Sequence, residues 1–199
     1  SEVIHTEEAP VQALREKKDS SLVRGLELVA SGEAQVLISS GSTGAVLSGA
    51  TLIVKRIPGI KRPAISTLLP TATGGKVLLI DTGANVDCKP SYLQQFGMMG
   101  SVFCQRVLNK TSPRVGLLNN GAEANKGNDL TKSAYKLLDG STLNFVGNCE
   151  ARSALSGDFD VLVADGFDGN IPLKSIEGAA LPMSNPLQAN LMPSGRRTP

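Results

Sequence analysis

A chain of 199 residues, 41% hydrophobic and 19% charged, has the composition of a globular domain with one substantial core. A net charge of +2, with 4% aromatic residues and no tryptophan, argues against nucleic acid, which needs a basic footprint or stacking platforms. Three widely spaced cysteines, Cys88, Cys104 and Cys149, make neither a disulfide framework nor a metal pattern. No apolar run reaches the roughly 20 residues of a membrane span, and the opening SEVIHTEEAP is too polar for a signal peptide, so a reducing cytoplasm is expected.

In chain order, residues 10–33 carry apolar positions at helical spacing, broken at Asp19-Ser20-Ser21, where a second helix restarts on a cap. AQVLISS, residues 34–40, reads as a short strand, and GSTGAVLSGATLIVKRI as a glycine-rich turn opening a helix that stops before Pro58-Gly59. AISTLLP and KVLLID are predicted as two strands of a hairpin around TATGG. Pro90 starts a long helix, RVGLLNN is a strand, NDLTKSAYKLLDG a capped helix, LNFVGN and DVLVADG strands, and a last helix begins near Asn170. Continuous apolar strands separated by helices predict an α/β fold, a mostly parallel sheet with helices on both faces. From Leu181 the chain has four prolines and no period, so residues 1–178 are expected as the α/β core and residues 179–199 as a Pro-rich disordered tail. The initial Ser and this tail suggest a piece of a longer protein, incomplete at both ends.

The stretch VLLIDTGANVDCKP, residues 77–90, looks at first like the DTGA strand of an aspartic protease. That chemistry needs two carboxylates sharing a proton inside β-rich lobes. A chain so rich in helical patterns does not supply them, and Asp81 instead stands at a strand's carboxyl end, where this architecture binds ligands. Four such ends carry small or polar residues: ISSGSTGA, LIDTGANVDCKP, LLNNGAEANKGND and VADGFDGN. SGSTG lacks both the P-loop lysine and the GxGxxG spacing, so it supports no nucleotide site, although backbone N–H groups at a helix start favour anions. Lys126, beside Glu123, is either an exposed loop lysine or a cation for phosphate. Asp165 and Asp168 are turn formers first, and Asn170 is either an N-cap or a site residue. The only histidine, His5, lies in the polar opening, which disfavours Ser-His-Asp and Cys-His mechanisms, while Cys149 reads as a small buried residue. The basic VKRIPGIKRP reads as a solvated loop, with an acidic partner or anionic lipid as the sharper alternative.

Taken together, PVQALREKKDSSL, SSGSTGA, GIKRPA, DTGANVDCKP, GSVFCQRV, SPRVGLLNNGAEANKGN, FVGNCEAR and DGFDGN resemble the bacterial phosphate acyltransferases of phospholipid synthesis, the PlsX family, over about residues 2–178. The resemblance implies an isocitrate dehydrogenase-like α/β/α fold and transfer of a fatty acyl group from acyl carrier protein to inorganic phosphate. It implies a homodimer and a cytoplasmic protein peripheral to the membrane; no cofactor is expected, and with one histidine and no CxxC pair, no metal. It places the family's catalytic lysine on Lys126 and its asparagine on Asn170. Ser42, Thr43, Gly44, Asp81, Asn85, Asp87 and Glu123 are expected as phosphate- or substrate-binding positions by inference from their loops, not from the resemblance. The family's glycine-rich first strand and its later helices are not matched here. The alternatives are a phosphotransacetylase-like enzyme using an acyl-coenzyme A donor, and a non-catalytic fragment that only self-associates.

Overall fold

A computed structural model describes residues 2–191. The chain divides into two compact units, Ser1–Ile65 and Ser66–Pro199.

The first unit is helical. Pro10, whose fixed φ suits a first turn, opens α1 (Pro10–Glu16). The Ser20 hydroxyl accepts from the Val23 N–H and caps α2 (Ser21–Ser31), which ends on Gly32 at φ +84°. α3 (Thr43–Gly49) runs into a π-helical turn (Ala50–Val54). Leu14, Leu22, Val23, Leu26 and Ala45 form the core of this unit, with Leu37 and Ile53 packed against it. The predicted strand at residues 34–40 does not form: this segment has no ladder partner among the described residues, and Ile38 is 90% exposed. Its apolar run suits a strand, but a strand exists only by pairing, which local sequence cannot provide.

The second unit holds a five-stranded sheet ordered β1-β2-β5-β3-β4. β1 (Ser66–Pro70) and β2 (Lys76–Ile80) form the expected antiparallel hairpin, turning at residues 71–75 with Gly74 at φ +78°. β2 pairs in parallel with β5 (Val161–Val163), β5 with β3 (Val115–Asn119), and β3 with β4 (Phe145–Glu150). The interleaved helices are α4 (Pro90–Val107), α5 (Asp129–Asp139) and α6 (Gly166–Leu191). Alternate strand residues serve opposite faces. Leu79, Val77 and Leu162 pack with Leu173 and Ile176 of α6, whereas Ile80 and Val161 meet α4 at Gly100, where an added Cβ would stand 2.6 Å from Val161 Cγ1. A sheet buried on both faces explains why its strands read as unbroken apolar runs. The fold is α/β and mostly parallel, as its sequence pattern predicts. α6 begins at Gly166, four residues before the expected start, and runs through the boundary placed at residue 178. Residues 192–199 of the expected tail lie outside the described residues.

At the strands' amino ends, buried Asp160 accepts from Arg114 N at 2.9 Å and Arg114 Nε at 3.0 Å, and pairs with Lys110 Nζ at 3.2 Å. Burial pushes its pKa up, but the Arg114 and Lys110 hydrogen bonds outweigh that and leave it below the usual carboxylate range. A depressed folded pKa contributes stability that is present above the unfolded value and lost as pH falls through the folded one. Asp160→Asn is therefore expected to cost about 2 kcal/mol at neutral pH, discounted for half-exposed cationic partners, and to flatten the acid limb of the stability curve. Urea unfolding between neutral and acid pH checks this; an unchanged acid limb would remove the assignment.

Candidate active site

The site is built where parallel strands end. β2 delivers Asp81, fully buried, into the DTGAN loop. Its Oδ1 accepts from Gly83 N at 3.2 Å and Ala84 N at 3.0 Å, and its Oδ2 accepts from Asn85 N at 2.7 Å and Asn85 Nδ2 at 2.8 Å. A carboxylate receiving four donors from its own loop is an organiser of that loop. Gly83, at φ +137°, makes the bend. Asp81 and Asn85, both expected near substrate, thus hold each other, and Asp87 lies exposed further along the loop.

The first turn of α6 docks on this loop. Asp165 is the cap, its Oδ1 accepting from Phe167 N at 2.9 Å and Asp168 N at 2.7 Å, so the N-cap reading of Asn170 is corrected. Burial, with repulsion from Asp168 and Asp81, pushes the Asp165 carboxyl above the usual range despite those backbone bonds. Gly166 N donates to Asn85 O at 2.7 Å, and a Cβ on Gly169 would overlap the Asp81 carbonyl oxygen. Two glycines therefore let the helix touch the loop backbone. Asn170, half-buried, follows them; its amide oxygen lies 3.8 Å from where a Gly83 Cβ would stand. The earlier helix start has this cause: the cap and the glycine contacts lie upstream of Asn170.

β3 delivers the loop of residues 120–128. Glu123 O accepts both Lys126 N at 3.1 Å and Asn148 Nδ2 at 2.7 Å, and Asn119 Nδ2 donates to Lys126 O at 3.2 Å. Gly127 at φ +98° turns the chain into α5, capped by Asn128. The Lys126 and Glu123 side chains both lie over Gly121, where an added Cβ would stand 2.7 Å from Lys126 Cγ and 3.0 Å from Glu123 Oε2. Both are exposed.

A cavity of about 350 Å³ opens between these segments, bordered by Asn119, Gly127 and Asn128 on one side and by Asp168, Ile171 and Pro172 on the other. The immediate neighbours of Lys126 and of Asn170 therefore line one cleft. Ser42, Thr43 and Gly44 belong to the first unit, where the Ser42 Oγ accepts from Ala45 N at 3.3 Å as the cap of α3.

Asn119 and Asn148 are the residues that sequence reasoning missed. The Asn119-Asn120 pair after an apolar strand was a usable signal for the first. Asn148 had none, because its role depends on Glu123, twenty-five positions away. Its Oδ1 is buried without a hydrogen-bond partner. Cys104 and Cys149 are buried, and burial pushes their thiols up to about 11 and about 12, so neither is a nucleophile at neutral pH. Among the described residues no cluster of three or more His, Cys, Asp or Glu could hold a metal ion, and no helix is long and apolar enough to cross a membrane.

Comparison with known proteins places this architecture. The family model described as "Fatty acid synthesis protein" matches residues 1–195. A phosphate acyltransferase of Clostridium kluyveri is 53% identical over 97% of this chain and 58% of its own length. A phosphate acyltransferase of Bacillus pumilus is likewise 53% identical, and one of Clostridium botulinum 52% over 98% of this chain. The chain thus spans 58% of the length of these relatives. Among solved structures, a phosphotransacetylase from Streptococcus pyogenes shares the fold with TM-score 0.61 at 20% identity, covering 88% of this chain and 63% of its own. A branched-chain phosphotransacylase from Enterococcus faecalis does so with TM-score 0.57 at 19% identity, covering 76% and 61%. The chain belongs to the fatty acid synthesis protein family.

Proposed function

We propose that the whole protein moves a fatty acyl group from acyl carrier protein to inorganic phosphate, releasing an acyl phosphate for phospholipid synthesis. The observation that carries this reading is the single cleft bordered by the neighbours of Lys126 and Asn170 at the strands' carboxyl ends. The relatives' name gives the reaction class.

A phosphate oxygen attacks the thioester carbonyl carbon, the tetrahedral oxyanion collapses, the C–S bond breaks, and the thiol of the carrier leaves with the acyl group on phosphate. Phosphate is ionised at neutral pH and a thiolate is a good leaving group, so no histidine is required. In this reading the Lys126 ammonium holds the phosphate and balances its charge, while the Asn170 carboxamide N–H donates to the oxyanion. Asp81 and Asn85 act through the loop that seats α6. Glu123 orients Lys126. A homodimer, peripheral to the cytoplasmic face of the membrane, belongs to the same proposal.

Asn170→Ala is expected to lower turnover about 100-fold with little change in donor KM, because an oxyanion donor acts mainly in the transition state. Trapping acyl phosphate with hydroxylamine, with acyl carrier protein and coenzyme A thioesters as alternative donors, checks both the residue and the donor. The 199-residue chain is assayed beside a full-length relative. Preference for the coenzyme A donor would convert the reading to a phosphotransacetylase. No turnover by the chain, with an active relative and saturable self-association, would leave it a non-catalytic part.

A further inference from the structure

Lys126 lies exposed in its loop, yet its backbone is held by side chains of two neighbouring strands. Asn119, the last residue of β3, donates from Nδ2 to the Lys126 carbonyl at 3.2 Å. Asn148 of β4 donates from Nδ2 to the Glu123 carbonyl at 2.7 Å, and the same carbonyl accepts the Lys126 N–H at 3.1 Å. Two irregularities bring the carboxamides there. The β3–β4 register shifts between Val115↔Phe145 and Gly116↔Gly147, with Gly147 at φ +102°. Val146 is the extra residue, so Asn148 pairs with Leu117 instead of Leu118 and joins Asn119 on the face of Val115 and Leu117. Without the shift it would take the opposite face, where Cys149 belongs to the cluster of Leu162 and Leu173. At Gly127, φ +98°, a Cβ would overlap Thr131 Oγ1 and stand 2.7 Å from Asn119 Oδ1, so glycine admits the Asn119 amide.

We propose that Asn119 and Asn148 are positioning residues for Lys126, a pair of carboxamides that fix its backbone so that the ammonium meets phosphate already oriented. This rests on the reading of Lys126 as the cation that holds phosphate. Asn119 fixes the Lys126 carbonyl directly, and Asn148 fixes the acceptor of its N–H. The side chain inherits that order, because its first methylenes lie on the Gly121 backbone, where an added Cβ would stand 2.7 Å from Lys126 Cγ. Asn148 is 7% exposed and its Oδ1 is buried without a partner. A buried acceptor left unsatisfied costs stability, and an apolar side chain would suit the position better, so the carboxamide is accounted for by what its Nδ2 holds. Ordering the loop in advance spares phosphate binding that entropic cost and limits misplacement of the cation.

The test follows the nitrogen-labelled 199-residue chain by nuclear magnetic resonance, reading the amide exchange of Lys126 and the Kd for inorganic phosphate. Asn148→Leu keeps the volume and removes the Nδ2 donor and the unpaired Oδ1 together, so the urea midpoint should stay near the wild type. The Lys126 N–H is expected to exchange about five-fold faster and Kd for phosphate to rise about five-fold, the worth of roughly one hydrogen bond. Asn119→Ala is expected to act alike, and it carries the test if circular dichroism shows Asn148→Leu unfolded. In Lys126→Ala, either asparagine change should alter Kd no further, because the carboxamides act through the lysine. An unchanged exchange rate or an unchanged Kd in both variants overturns the proposal. So does a full penalty added on top of Lys126→Ala, the mark of a general loosening. Phosphate affinity absent from the wild type, or kept in Lys126→Ala, removes the reading of Lys126 and the proposal with it. Affinity lost in Lys126→Ala but kept in both asparagine variants removes the positioning role alone. Failure of the hydroxylamine trapping assay with phosphate binding intact would remove the acyltransferase reading without touching the Kd comparison.

Discussion

Lys126→Ala is expected to reduce acyl phosphate formation about a thousand-fold, the upper range for losing one preorganised charge or donor at a developing anion. The chain should stay folded. Every hydrogen bond described for Lys126 uses its backbone: its N–H donates to Glu123 O and its carbonyl accepts from Asn119 Nδ2. Truncating an exposed side chain leaves these in place, so the unfolding midpoint should match the wild type. If the ammonium holds phosphate as proposed, KM for phosphate should rise while donor KM changes little. Lys126→Arg keeps the charge but presents a planar fork where a compact cation is expected, and should recover only part of the loss. Phosphate-dependent kinetics on the alanine and arginine variants decide the matter. An alanine variant with wild-type kcat/KM for phosphate would remove Lys126 from the site.

Asp81→Ala is expected to be the most destabilising single change in the site, about 3 kcal/mol, since it leaves several partly buried N–H groups without their acceptor. The four donors come from Gly83, Ala84 and Asn85, and Asn85 also receives the first N–H of α6 from Gly166. Slackening the loop should therefore loosen the turn that carries Asn170, and turnover should fall beyond what the lost folded fraction explains. Asp81→Asn keeps one acceptor and turns an N–H₂ towards existing donors, so it should cost less. Urea midpoints beside turnover at low temperature, where both variants are folded, separate the two effects. A wild-type midpoint in Asp81→Ala would contradict the loop-organising role. Loss of a peptidase activity in Asp81→Asn would restore the aspartic protease alternative.

Much of this was legible beforehand because its causes are local. The hairpin of β1 and β2 follows from two apolar runs around TATGG. The α2 and α5 starts follow from Ser20 and Asn128, whose side chains reach N–H groups three residues on. The parallel sheet follows from apolar runs that tolerate burial on both faces. Asp81, Lys126 and Asn170 could be marked as strand-end residues for the same reason, and the motifs around them carry the family.

What the linear chain could not contain is partnership at a distance. The apolar run at residues 34–40 has a strand's composition and no strand beside it, because a β-ladder needs a second chain segment. DTGA has a protease's letters, yet its carboxylate is consumed by the N–H groups of its own loop. Asn148 has no local mark and still holds Glu123 across the sheet edge, and Gly166 and Gly169 look like turn residues until the loop backbone is found against them. Composition, capping and periodicity act over a few bonds and survive in the sequence; burial, close backbone approach and the shared cleft arise only when remote segments exclude water together, and folding alone decides which ones do.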